Sequence, residues 1–170
     1  MSDQKLIVMR HAKSDWSTAL GRDIERRLNP RGRMDALRMG RYLRELEISP
    51  SCIKSSPARR AAETAELVSG ALGGLPIIYE PSLYLATLKE LIEVARLPPS
   101  SCWILIGHNP GLERFLEFLD PGLRSCIEFA KLMPTAAIYA FDVDLSEGKF
   151  QQGCGTLSQH HRPKLLDRSR

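Results

Sequence analysis

The sequence predicts an α/β fold, a three-layer sandwich in which helices cover both faces of a largely parallel central sheet. Two short apolar runs of strand length, Leu6–Met9 and Cys102–Ile106, stop abruptly at polar residues, as buried strands do. Stretches with apolar residues at helical spacing alternate with such runs, the pattern that builds a parallel sheet with helices on both faces. No repeat, low-complexity stretch or linker interrupts the pattern, so residues 1–170 read as one domain with a basic tail from about residue 160.

The first strand runs into Arg10-His11, and residues 14–30 then show no sustained apolar period, with a turn at Asn29-Pro30. From Arg31 to Glu47, Ala36, Met39, Leu43 and Leu46 recur on one helical face, and Ser49-Pro50 ends that helix. After Cys52–Ser55, the pair Ser56-Pro57 predicts an N-cap and a proline at the first helical position, opening a helix through about Leu72 that Gly73-Gly74 stops. Ile77–Tyr79 reads as a strand, and Thr87–Leu97 as a helix ended by Pro98-Pro99. A helix from near Pro110 through Phe118 follows the second apolar run. Ala136–Val143 is a further strand, and a short last one is expected near Thr156.

Composition narrows the class. No apolar run approaches the ~20 residues of a membrane span, and the amino terminus lacks the pattern of a signal or transit peptide. Cys52, Cys102, Cys126 and Cys154 are scattered, with no Cys-x-x-Cys and no histidine at ligand spacing, which fits buried thiols in a reducing compartment. A cytoplasmic protein without a membrane partner is therefore expected. Net charge is +4, and eight arginines fall between Arg22 and Arg44, but acidic residues are mixed among them. With no aromatic stacking platform and no basic stripe free of acids, a nucleic-acid or general anion-binding module is a remote alternative, and no nucleic-acid partner is expected.

Three polar clusters stand where open α/β folds collect ligands, beyond the carboxyl ends of strands. They are Arg10-His11, Arg59-Arg60 in the first turn of the helix after Cys52–Ser55, and His108. A single strand-end histidine is more often structural, and helix arginines usually face solvent. Together, however, they offer two imidazoles and at least two guanidiniums, with no carboxylate ring to hold a divalent metal. Guanidiniums bind phosphate oxygens bidentately, and a neutral imidazole can attack phosphorus. Cationic side chains would then stabilise charge on the transferring phosphoryl group. The chemistry this points to is phosphoryl transfer through phosphohistidine, with no metal or other cofactor.

Arg10-His11-Ala12-Lys13 resembles the Arg-His signature of the histidine phosphatase superfamily. Ser56-Pro57-Ala58-Arg59-Arg60-Ala61-Ala62-Glu63-Thr64 is similar to its Ser-Pro helix start, and Gly107-His108-Asn109-Pro110-Gly111 to its second histidine motif. The run from Arg10 to Trp16, with Leu28-Asn29-x-Arg31-Gly32, Leu83-Tyr84-x-Ala86 and Pro163-Lys164-Leu165, looks most like the SixA-type phosphohistidine phosphatase branch. The resemblance implies a phosphoglycerate-mutase-like fold without a large cap insertion, and so a shallow, open pocket. It implies His11 as nucleophile, Arg10 and Arg60 as the phosphate grip, and His108 as a donor to a phosphate oxygen. Arg60 matches the family arginine, and Arg59, about 100° round the helix, is expected to face solvent.

Arg26 matches a position that could reach the substrate phosphate. Asp23 is the candidate acid or supporting group, with a turn-capping aspartate as the alternative. Arg27 departs from the branch, which commonly has proline there, and places another cation near the mouth. Larger relatives carry a carboxylic acid for the leaving group, and Pro81–Tyr84 offers none except Glu80 just before it. A phosphoramidate tolerates that lack better than a phosphomonoester does. The expected partner is accordingly a phosphorylated protein of histidine-phosphotransfer type, or otherwise a small phosphorylated substrate handled by a general phosphomonoesterase. The pair His160-His161 has no partner at ligand spacing and is expected in the tail, as a solvated terminus or a weak adventitious metal binder.

Overall fold

The computed structural model describes residues 4–17, 21–46, 48–127, 131–145 and 150–166. Its centre is a six-stranded sheet built from β1 (Gln4–Arg10), β2 (Ile53–Ser55), β3 (Ile77–Tyr79), β4 (Cys102–Gly107), β5 (Ile138–Val143) and β6 (Gly155–His161), in the order β3-β2-β4-β1-β5-β6. The first four strands in that order run parallel; β5 pairs antiparallel with β1 and β6 antiparallel with β5, so β5 alone runs against the rest and the sheet is largely parallel. Alternation along β1 decides the layers. Leu6 and Val8 join one apolar cluster with α3 (Leu88–Ala95) and α4 (Gly111–Leu119). Ile7 and Met9 join the other, against α1 (Pro30–Glu45) and α2 (Arg59–Ala71). Two short helices, α5 (Leu123–Cys126) and α6 (Pro163–Leu166), have too few residues for a readable period.

Helix α1 starts where Asn29 accepts from the Gly32 amide at 2.8 Å, with Pro30 at the first position. Of its expected end, Glu47 lies outside the described residues. Helix α2 begins later than Ser56-Pro57 predicts. The Ser56 amide still donates to the Ile106 carbonyl of the sheet at 3.0 Å, and Ala58 is extended. The predicted cap hydroxyl instead accepts from the Ala58 amide at 3.2 Å within a turn. Helix α3 carries the reciprocal Thr87–Glu90 capping box. Strand β5 starts two residues after the predicted Ala136, because Ala136 sits at a φ of 60° and breaks the extended run.

The carboxyl-terminal expectation is corrected. Residues 155–161 form the full edge strand β6, and His160 and His161 are part of it rather than of a tail. Their rings lie against Tyr139 at 5.5 Å and Tyr42 at 4.2 Å between centroids, and partial burial lowers the pKa of both. Its exposed, polar alternation hid the strand from an apolar reading. Among the described residues no helix is long and apolar enough to cross a membrane. Cys52, Cys102 and Cys154 are free thiols.

Candidate active site

Strand register assembles the site. Arg10 pairs with Gly107 across β1 and β4, and Ser55 with Ile106 across β2 and β4. The residues that follow, His11, His108 and Ser56, therefore emerge side by side at the carboxyl edge of three adjacent strands. The His11 amide donates to the Gly107 carbonyl at 3.1 Å, which closes the seam. The two imidazole centroids stand 5.1 Å apart, and both rings are buried.

Two close backbone approaches hold the surrounding loops. A Cβ on Gly32 would lie 2.0 Å from the Lys13 carbonyl oxygen, and one on Gly111 would lie 2.1 Å from that of Ala86. Only glycine permits either contact. Thr64 adds a third tie, accepting from the Ala12 amide at 3.1 Å while donating to the Arg60 carbonyl at 2.6 Å.

The His11 Nδ1 lies 2.7 Å from the Ala12 carbonyl oxygen. A carbonyl only accepts, so the ring proton sits on Nδ1 and the Nε2 lone pair is left open. Arg60 Nε donates to that Nε2 at 3.3 Å. Burial, above all, pushes the His11 pKa well below the ordinary imidazole value; the Ala12 carbonyl opposes it, and His108, Arg60 and Arg10 reinforce it. Burial with the charge of Arg60 takes His108 down to about 3, against a smaller opposing effect of Asp23. Both rings are therefore neutral at pH 7. For both rings burial outranks the neighbouring arginines. His108 Nε2 is 2.8 Å from Ser56 Oγ.

Arg60 is among the most deeply buried side chains of the protein. Its Nη1 donates to the Asp23 carbonyl at 2.7 Å and its Nη2 to the Asp23 carboxylate at 2.8 Å. The same Asp23 oxygen accepts from the Tyr84 hydroxyl at 2.9 Å, and the other faces Arg26 Nη2 at 3.2 Å. Burial acts to raise the Asp23 pKa, but Tyr84, Arg60 and Arg26 together outweigh it, and the carboxyl is held below its ordinary value. Arg26 is buried beneath the exposed Trp16, its guanidinium carbon 3.6 Å from the ring centroid. Arg10 donates through Nη1 to the Met133 carbonyl at 3.0 Å.

Among the described residues, Arg10 Nε, Arg26 Nε and Nη1, and His108 Nδ1 are buried without a hydrogen-bond partner. A cluster of donors of this kind suits an oxyanion. The six candidate residues Arg10, His11, Asp23, Arg26, Arg60 and His108 thus converge, and Asp23 does more than cap a turn. The histidines are more enclosed than an open pocket implies, because Tyr84, whose ring lies 5.6 Å from that of His108, joins Asp23 across them. Arg59, as expected, lies toward solvent and pairs with Glu63 at 3.2 Å. Sequence reasoning missed roles for Ser56 and Tyr84, although both lie inside recognised motifs. It also missed roles for Trp16 and Glu63, which stand inside the quoted motifs but whose contacts with Arg26 and the Leu28 amide are set by the fold. No group of three or more His, Cys, Asp or Glu side chains among the described residues is arranged to hold a metal ion.

Comparisons with known proteins agree with this geometry. Residues 6–84, which include Arg10, His11, Asp23, Arg26 and Arg60, match the model of the histidine phosphatase superfamily (branch 1). An uncharacterised chloroplastic protein of Arabidopsis thaliana is 30% identical over 129 residues, 69% of this chain and 59% of that protein. The chain therefore spans about three fifths of the length of that relative. The fold matches that of the protein histidine phosphatase SixA complexed with tungstate, with a TM-score of 0.80 and 23% identity over 96% of this chain and 99% of the other. A structure assigned as a phosphohistidine phosphatase SixA from Agrobacterium tumefaciens gives 0.79 and 24% over 95% and 99%. The architecture is thus the phosphoglycerate-mutase-like one of the SixA structures.

Proposed function

We propose that the chain, whose residues 6–84 match the model of the histidine phosphatase superfamily (branch 1), is a metal-independent phosphatase of the SixA-type branch, removing phosphate from phosphohistidine on proteins. The observation that carries the reading is the bond from His11 Nδ1 to the Ala12 carbonyl, which commits the ring proton and leaves a neutral, nucleophilic Nε2 beside Arg60. In the first step Nε2 bonds to phosphorus as the donor imidazole departs with its own proton. In the second, water takes the phosphoryl group, the P–N bond to His11 breaks, and inorganic phosphate leaves. Arg10, Arg26 and Arg60 bear the charge on the non-bridging oxygens, and His108 donates to one of them.

Asp23 supports the choice of a phosphoramidate. Its neighbours keep it ionised, so it holds Arg60 and Tyr84 in place and has no proton to give. A phosphohistidine needs none from the enzyme, whereas an ordinary phosphomonoester does. That weighs against the general phosphomonoesterase. The anion-binding module loses ground as well, because Arg31 and Arg38 face Asp35, and Arg33 faces Glu63.

The decisive experiment mixes wild type and His11→Ala with a phosphorylated histidine-phosphotransfer domain in the presence of EDTA, quenches in alkali, and locates phosphate by peptide mass spectrometry. Phosphate on His11 of wild type alone, with loss from the donor and at least ~10⁴-fold slower donor loss in the variant, is the expected result. A donor that keeps its phosphate while a sugar phosphate is hydrolysed would hand the reading to the general phosphatase.

A further inference from the structure

Glu63 lies on α2 one turn beyond Arg59, and its carboxylate is buried. One oxygen accepts from the Leu28 amide at 2.9 Å. The other is shared by three arginines: Arg59 at 3.2 Å, Arg33 at 3.4 Å and Arg27 at 3.9 Å. All three arginines are about half exposed or more. Three guanidiniums against one carboxylate leave two positive charges in excess, anchored from below and facing solvent. Arg27 and Arg59, with Ile24, Glu25 and Pro57, line a groove of about 410 Å³. Glu25 is engaged by Arg22 at 2.7 Å, so that pair adds no net charge. The groove begins beside the catalytic pocket, since Ile24 follows Asp23 and Pro57 follows Ser56 in the chain.

We infer that this groove is a docking surface for an acidic segment flanking the phosphorylated histidine of a protein substrate. The inference rests on the proposed phosphohistidine phosphatase activity and names the class of protein it acts on. Charge complementarity argues for the occupant. A buried carboxylate fixes the guanidiniums in advance, so an acidic chain meets them with little ordering left to do.

The test uses free phosphohistidine and three short phosphohistidine peptides whose flanks are acidic, neutral or basic. Wild type is expected to favour the acidic peptide over the neutral one by roughly tenfold in kcat/KM, with the basic one last and the preference shrinking at high salt. In the double variant Arg27→Gln/Arg59→Gln, with Arg33 left to neutralise Glu63, the preference falls to about twofold or less while turnover of free phosphohistidine stays within about twofold of wild type. The single variant Arg27→Gln serves if the double variant does not fold, and should lose part of the preference. Equal treatment of the three peptides by wild type, or a preference that survives the substitutions, overturns the docking groove and leaves the phosphatase reading standing. Failure to hydrolyse any of the four substrates overturns both.

Discussion

The candidate catalytic pocket and the Glu63 cluster are built from the same parts turned inside out. Each sets arginines around one carboxylate. In the pocket the guanidiniums of Arg60 and Arg26 are 2% and 6% exposed and the Asp23 carboxyl is 41% exposed. At the other cluster Glu63 is 3% exposed, and its arginines are 47% to 61% exposed. Burying the cation keeps its charge unscreened and aims it at an anion brought into the pocket. Burying the anion gives up that field and yields fixed positive groups in water, suited to selecting a partner and poor at stabilising a transition state. Arg59 and Arg60, adjacent on α2, fall on opposite sides of this division because successive helix residues point about 100° apart.

Replacing each arginine in turn is the strongest way to break the comparison. Arg60→Gln is expected to lower kcat/KM on free phosphohistidine by about 10³-fold, since it removes the donor to His11 and the anchor of Asp23 together. Arg59→Gln should change it by less than about twofold. Similar losses from both would erase the distinction, with unfolding midpoints taken alongside to exclude a folding defect. Next in size is stability. Glu63→Gln removes the buried half of the second cluster and the charged acceptor of the Leu28 amide. A loss of about 2–3 kcal/mol in urea unfolding is expected. Asp23→Asn, whose carboxyl is much more exposed, should cost at most about 1 kcal/mol.

The smallest effect is on pH dependence. In the proposed mechanism His11 must be neutral to attack, and its lowered pKa places the acid limb of kcat/KM below the ordinary imidazole range. For stability the sign follows from the same depression. Below about 6.5 the unfolded chain takes up protons that folded His11 and His108 refuse, so stability falls as pH drops from there toward the folded values, about 3 for His108. An acid limb of activity near 6.5, or a flat urea midpoint across that window, would place these rings in water rather than in the low-dielectric pocket.

Much of this was legible in the sequence because parallel strands bring consecutive motifs to one edge. Leu6–Met9 and Cys102–Ile106 are unmistakable as buried strands, and the residues after them had to stand together once the sheet was parallel. The glycines of Leu28-Asn29-x-Arg31-Gly32 and Gly107-His108-Asn109-Pro110-Gly111 could be matched by type, but their physical reason is a contact with Lys13 or Ala86 that only the fold displays. Asp23 was visible as a candidate. Its bonds to Arg60 and Tyr84 were not, since they join residues 37 and 61 positions apart. Glu63 escaped for the same reason. A carboxylate on a helix beside arginines reads as a solvated face, whereas in the fold Glu63 is buried and takes the Leu28 amide. Edge strand β6 was underestimated because its stabilising partner is backbone, and backbone pairing leaves no apolar alternation to read.

The cation–π stack at the mouth has an optical consequence. The chain holds two tryptophans, and they sit in opposite surroundings: Trp103 deep in the core, Trp16 in solvent above the Arg26 guanidinium. Emission therefore divides into a blue part that follows the integrity of the fold and a red part, open to quenching by iodide, that follows the entrance. An oxyanion drawn to Arg26 alters the partner of the second fluorophore and leaves the first untouched. Through Trp16 the protein carries its own label at the point where a substrate would enter.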